Sequence, residues 1–241
     1  MTGPHRTLRL SLLAVCVLFL GFFCKAKFAE TLGISGMLYA NGTPVGGDFI
    51  NLWSVAQLVL SGHSGQIYDS AAFMAFERTL TGGDLGLRLW AYPPHSLLAA
   101  WPFGLLGFYP ALAAWSLLSL VVLWFGARRF GFERLEAAII VLSPASVLSL
   151  YYGQTGNLAA GLLLFALSVR GPGAAIAASL LSFKPQTGVP AAGTVAVPAP
   201  LVGDCRNCRA DHGLGRGCLP AVRDWRMARL SGRYAAVAGS A

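Results

Sequence analysis

Charge is what this chain has least of. Only 12% of its 241 residues are Asp, Glu, Lys or Arg, about half the share usual in a soluble domain, and 55% are hydrophobic. That shortage is at odds with a soluble globular domain and makes an integral membrane protein the class. Acids are the scarcer sign, ten against eighteen Lys and Arg, for a net charge of +8. The basic residues are nevertheless dispersed between apolar runs instead of clustering with aromatics, which argues against a nucleic-acid partner. An odd number of cysteines, five, supplies no disulfide framework. Cys16 and Cys24 lie in an apolar run, and Cys205, Cys208 and Cys218 sit near the end.

Small residues are missing where a signal peptidase would need them. The run "LSLLAVCVLFLGFFC" (10–24) follows Arg6 and Arg9, and "GFFCKAK" puts Phe22, Phe23 and two lysines at the would-be cut. The segment therefore reads as a retained first helix, snorkelling through Lys25 and Lys27. From residue 30 to 95 no window reaches the ~20 apolar residues of a span, so this stretch reads as one long outer loop. Within it "FINLWSVAQLVL" (49–60) places Phe49, Leu52, Trp53, Ala56 and Leu60 at helical spacing. That pattern suits a helix lying in the membrane interface or the core helix of a small loop subdomain.

The pattern predicts an all-α, polytopic helical membrane protein with about five spans, near 10–29, 110–126, 137–152, 156–169 and 171–183. Arg128, Arg129 and Arg134 separate two of these segments and Arg170 separates the last two, so the positive-inside rule puts both connections in the cytoplasm with the N-terminus. Parity then leaves residues 95–108, broken by Pro102, as an interfacial or re-entrant piece. The plasma membrane is the expected location. On this topology the loop bearing "GGDF" (46–49), the turn "YYGQTGN" (151–157) and "FKPQ" (183–186) all face outward.

These three places hold the candidate functional residues. Asp48 follows Gly46 and Gly47, whose freedom lets backbone approach a ligand closely, and it precedes a helix start, where a carboxylate is favoured. It is either an N-cap or a catalytic base. Lys184, between Phe183 and Pro185, is either a snorkelling anchor or a phosphate contact. Gln154 and Asn157 are suited to sugar hydroxyls or to helix capping. "YPP" (92–94) forces an extended or turn geometry.

Taken in order, "GGDF" after the first helix, "YPP" ahead of the second, "GQTGN" between spans and "SFKPQ" after another resemble glycosyltransferase family 87. That family belongs to the GT-C class of polyprenyl-phosphate-sugar-dependent membrane glycosyltransferases. The resemblance covers residues 8–188. It implies inverting transfer of a hexose, commonly mannose, from a polyprenyl-phosphate-linked donor to a glycolipid or glycan acceptor; no cofactor is expected, and no residue is singled out as a metal ligand. Asp48 matches the general base, and Lys184, Gln154, Asn157, Gln186 and Tyr92 are the candidate donor or acceptor contacts. The other readings are a non-catalytic membrane protein, such as an assembly subunit or transporter fragment, or an inactive truncated glycosyltransferase.

After Val189 the character changes. Residues 190–241 contain seven arginines, no lysine and no long apolar run. "CRNC" with His212 and Cys218 offers four soft ligands, but the second pair is too widely spaced for a typical structural zinc site. The preferred expectation is a shift of reading frame near residues 186–190, which would leave a disordered or out-of-frame tail and a donor-binding bundle cut short.

Overall fold

The structure is a computed structural model that describes residues 3–169 and 171–184. Gln186, Arg170 and the proposed tail lie outside the described residues. Within them all regular structure is helical: α1 (Gly3–Leu32), α2 (Phe49–Leu60), α3 (Ser70–Thr81), α4 (Leu97–Gly104), α5 (Phe108–Phe130), α6 (Arg134–Val141), α7 (Pro144–Tyr151), α8 (Gly156–Ser168) and α9 (Pro172–Leu180), with short 3-10 turns between. The all-α membrane architecture expected from the sequence is what is found.

Two helices are long and apolar enough to cross a bilayer, Arg6–Leu32 and Phe108–Phe130. The expected span at 137–152 is instead a pair, α6 and α7, bent by 46°. Its cause is local. Pro144 has no N–H and cannot continue a helix from α6. Ser143 therefore restarts the chain as an N-cap, its hydroxyl accepting the Ser146 N–H at 3.3 Å. The expected spans at 156–169 and 171–183 are helices of 13 and 9 residues, shorter than the ~17 residues a span needs. They pack instead against α5 and each other.

The α5–α8 crossing depends on two glycines. A Cβ on Gly126 would lie 2.2 Å from the Gly161 carbonyl oxygen, and one on Gly161 would lie 2.5 Å from the Val122 backbone. Absence of a side chain on both helices is what lets the backbones touch, the usual device where lipid offers no hydrophobic drive. The first helix is pinned at both ends. Near its start Arg9 pairs with Glu133 and, at 3.0 Å, with Glu136 at the opening of α6. Near its end Glu30 accepts from Tyr151 (2.5 Å) and Lys27 (2.6 Å), while Phe23 meets Tyr151 edge-on at 5.1 Å. The start of α1 therefore lies beside the α5–α6 connection, and the end of α1 beside the turn after α7.

Residues between α1 and α5 form a small helical layer of their own. Of the two readings open for residues 49–60, the interfacial helix gives way to the core helix. Phe49, Ile50, Val55, Ala56 and Leu58 are fully or almost fully buried. Phe49 packs on Phe103, Phe108 and Trp115 at ring separations of 5.8–6.5 Å. Gln57, which looked like the polar face, donates to the Gly104 carbonyl at 2.9 Å, and Trp53 Nε1 donates to Leu106 O at 3.1 Å. Both satisfy carbonyls left open at the end of α4, which has no further turn to bond them. The exposed apolar face falls on α4 itself, at Leu98, Trp101 and Leu105.

Gly161→Val tests the crossing. Overpacking of this kind typically costs about 1–3 kcal/mol, so the variant is expected to show a clearly lowered thermal midpoint in detergent, whereas Leu117→Ala on the exposed face of α5 changes it little.

Candidate active site

Asp48 occupies the position before α2 but does not cap it. Its side chain makes no bond to the helix N-terminus. Asp69, in the equivalent place before α3, accepts the N–H groups of Ala71 and Ala72 at 3.0 Å each. The Asp48 carboxylate is instead 62% exposed and turns into a cleft, where Oδ1 lies 3.5 Å from Arg88 Nη1.

What aims it is a meeting of two backbones. Gly46 (φ +67°), Gly47 (φ +49°) and Gly153 (φ +57°) all sit in the left-handed region. A Cβ on Gly47 would fall 2.6 Å from Tyr152 O, and one on Gly153 would fall 2.0 Å from Gly46 O. Through this gap the Asp48 N–H donates to Tyr152 O at 2.8 Å. The glycines thus admit another stretch of the chain, where the sequence had suggested close approach of a ligand.

The cleft has a volume of about 650 Å³. It brings together Asp48, Tyr92, Gln154 and Lys184, four of the residues singled out from the sequence. Lys184 is held there by its neighbours: Phe183 packs on Tyr92 at 6.1 Å, and the Ser182 hydroxyl meets His95 Nε2 at 3.0 Å. Burial pulls the Lys184 ammonium below its ordinary range, while the negative charge of Asp48 works the other way. The two groups are therefore within electrostatic reach across the cleft.

Asn157 does not join them. It is buried, its Nδ2 donates to Ser146 O at 3.1 Å, and it lines a second hollow of about 320 Å³ between α5, α7 and α8. The sequence reading missed Arg88, Asn51, Thr155, Trp90 and Trp115, all of which line the cleft. Arg88 was the visible one: a lone arginine in "LGLRLW" directly ahead of "YPP". Also missed was Glu77 on α3, which is 1% exposed. Burial raises its carboxyl to about 7, against the pull of the Arg88 charge. Among the described residues no three His, Cys, Asp or Glu come together as a metal site, and the Cys205, Cys208, His212 and Cys218 set lies outside them.

Fold and cleft together define a helical membrane protein with a charged pocket roofed by an extramembrane helical layer. Residues 90–206, just under half the chain, match the model of glycosyltransferase family 87, so over that range the chain is similar to this family. The matched range takes in Tyr92, Gln154, Lys184 and Gln186, begins after Asp48, and runs past Val189. No curated protein and no solved structure matches the chain.

Glu77 sets a stability slope with a defined sign. A carboxyl that titrates near 7 when folded, against 4.5 ordinarily, keeps its proton in the folded state between those values and loses it on unfolding. Stability therefore falls as pH rises through that window, by on the order of 3 kcal/mol at most. Glu77→Gln removes the slope: relative to this variant, the wild-type thermal midpoint is expected to drop between pH 5 and pH 8. Parallel curves would show that Glu77 is not held neutral by burial.

Proposed function

We propose that the chain transfers a hexose, with mannose the first candidate, from a polyprenyl-phosphate-linked donor to a hydroxyl of a glycolipid or glycan, inverting the anomeric centre. The observation that carries this reading is the Asp48 carboxylate, placed before a helix that it does not cap and facing a cleft that also holds Arg88 and Lys184. In the reaction the acceptor O–H gives its proton to Asp48 as its oxygen bonds to the anomeric carbon. The anomeric C–O bond to phosphate breaks, its electron pair departs with polyprenyl phosphate, and Lys184 and Arg88 stabilise the added negative charge.

The walls suit the rest of the donor. The half-buried Tyr92, backed by Trp90, offers a ring for a sugar, Gln154 and Asn51 offer hydrogen bonds for its hydroxyls, and the exposed Leu87 and Leu89 offer apolar surface to the start of a prenyl chain. The exposed face of α4 rests on the membrane surface beside them. The positive-inside pattern around Arg128, Arg129 and Arg134 supports a cleft on the extracytoplasmic side, with the N-terminus in the cytoplasm, and the plasma membrane is the proposed location.

Asp48→Asn separates catalysis from architecture. Because the side chain caps nothing, the variant is expected to keep the wild-type thermal midpoint. It should lose sugar transfer by roughly 10²–10⁴-fold, the usual contribution of a general base, measured in lipid nanodiscs with polyprenyl-phosphate-linked radiolabelled hexoses. Lys184→Gln is expected to raise KM for the donor as well as to slow turnover. Equal transfer by Asp48→Asn and wild type would remove the enzymatic role and leave a non-catalytic membrane protein.

A further inference from the structure

Behind the cleft lies a carboxylate that the proposed chemistry does not use. Glu77 is fully buried on α3, and its Oε1 has no hydrogen-bond partner. Arg88, in the segment that follows α3, has a buried Nε that also lacks one, while its Nη1 reaches forward to Asp48 Oδ1 and to the Gly47 carbonyl, both at 3.5 Å. An unpartnered buried donor and an unpartnered buried acceptor of opposite charge, within electrostatic range of each other, are costly apart and matched together. The other group beside Glu77 is the uncharged Ser54 of α2, completely buried. Arg88 is thus the charged group that bears on Glu77, and Asp48 lies on its far side.

Resting on the reading of the cleft as a phosphodiester-binding site, we propose that Glu77 is its positioning residue: the ionised carboxylate anchors the Arg88 guanidinium from the buried side and presents its terminal nitrogens to the donor phosphate. Only the ionised form anchors. A protonated Glu77 lets the guanidinium turn toward Asp48, where it occupies the base and leaves the phosphate one cation short.

The sign of the effect separates positioning from simple charge. An added negative charge near the cleft weakens binding of an anion, so if Glu77 acted by its field alone its ionisation would loosen the donor. Positioning predicts the reverse: affinity rises as Glu77 ionises, near pH 7.

The test uses the full chain in nanodiscs with a farnesyl methyl phosphodiester, which keeps one negative charge across the pH range. Wild type is expected to bind it more tightly as pH rises through about 7. Glu77→Gln should stay at the weak level throughout, roughly tenfold below wild type at the alkaline end, the equivalent of one lost charge-assisted contact. In parallel, infrared difference spectra follow the carbonyl stretch of protonated Glu77, a band that Glu77→Gln identifies by deleting it. Arg88→Gln is expected to move its titration midpoint up by about one pH unit or more. Binding by Glu77→Gln that equals wild type at every pH, or a Glu77 midpoint indifferent to Arg88→Gln, overturns the proposal. A wild type that binds no phosphodiester while Arg88→Gln still shifts the midpoint overturns the donor reading and supports the Glu77–Arg88 linkage.

Discussion

The contact on which this structure turns is the 2.8 Å hydrogen bond from the Asp48 N–H to the Tyr152 carbonyl. It joins the loop after the first helix to the turn after α7, residues about a hundred positions apart. It exists only because Gly47 and Gly153 lack side chains where the two backbones meet. Around that junction lie the remaining parts of the cleft: Tyr151 ties the end of α1 through Glu30, Gln154 follows on the same turn, and Phe49, the next residue after Asp48, plugs the aromatic core. Placement of Asp48 and packing of the outer layer therefore depend on the same junction.

The scarcity of charge makes each charged side chain consequential. At the start of α1, Arg9 meets two carboxylates of α6, and at its end Lys27 and Tyr151 meet Glu30. These pairs close the two ends of the bundle. Three more charges gather at the cleft, where Arg88 and Lys184 accompany the exposed carboxylate of Asp48, and the buried Glu77 feels the Arg88 charge. In low-dielectric surroundings such groups interact strongly and tolerate no idle partner, which is why the bare Nε of Arg88 and Oε1 of Glu77 are informative. Family 87 likeness and cleft geometry support each other from different parts of the chain: the matched range starts at residue 90, whereas Asp48, Glu77 and Arg88 precede it.

Hydropathy is a local property, and what it governs was legible. The membrane class, the helices near 10–29 and 110–126, the long polar loop and the grouping of "GGDF", "GQTGN" and "FKP" on one side follow from the order of residues alone, because lipid demands long apolar helices and water demands polar loops. Other features were not legible. Residues 49–60 have an amphipathic period that fits a membrane surface or a protein core equally well, and only the arrival of Phe103, Phe108 and Trp115 decided for the core. Asp48 and Asp69 are indistinguishable as helix starts, yet one turns to a cleft and the other caps its helix. Asn157 and Gln154 sit three residues apart in one turn, and the rotation of α8 sends the first into the bundle and keeps the second at the cleft.

The sequence by itself determined that this is a helical membrane protein similar to glycosyltransferase family 87 over residues 90–206, and which short motifs share one side, since apolar length and motif order are written along the chain. Tertiary structure alone decided that Arg88 lies against Asp48, that Glu77 lies behind Arg88, and that Lys184 shares their cleft. The approaches of Arg88 and Lys184 to Asp48 bring together segments distant in sequence, and that meeting depends on glycine contacts and ring packing that no local pattern records.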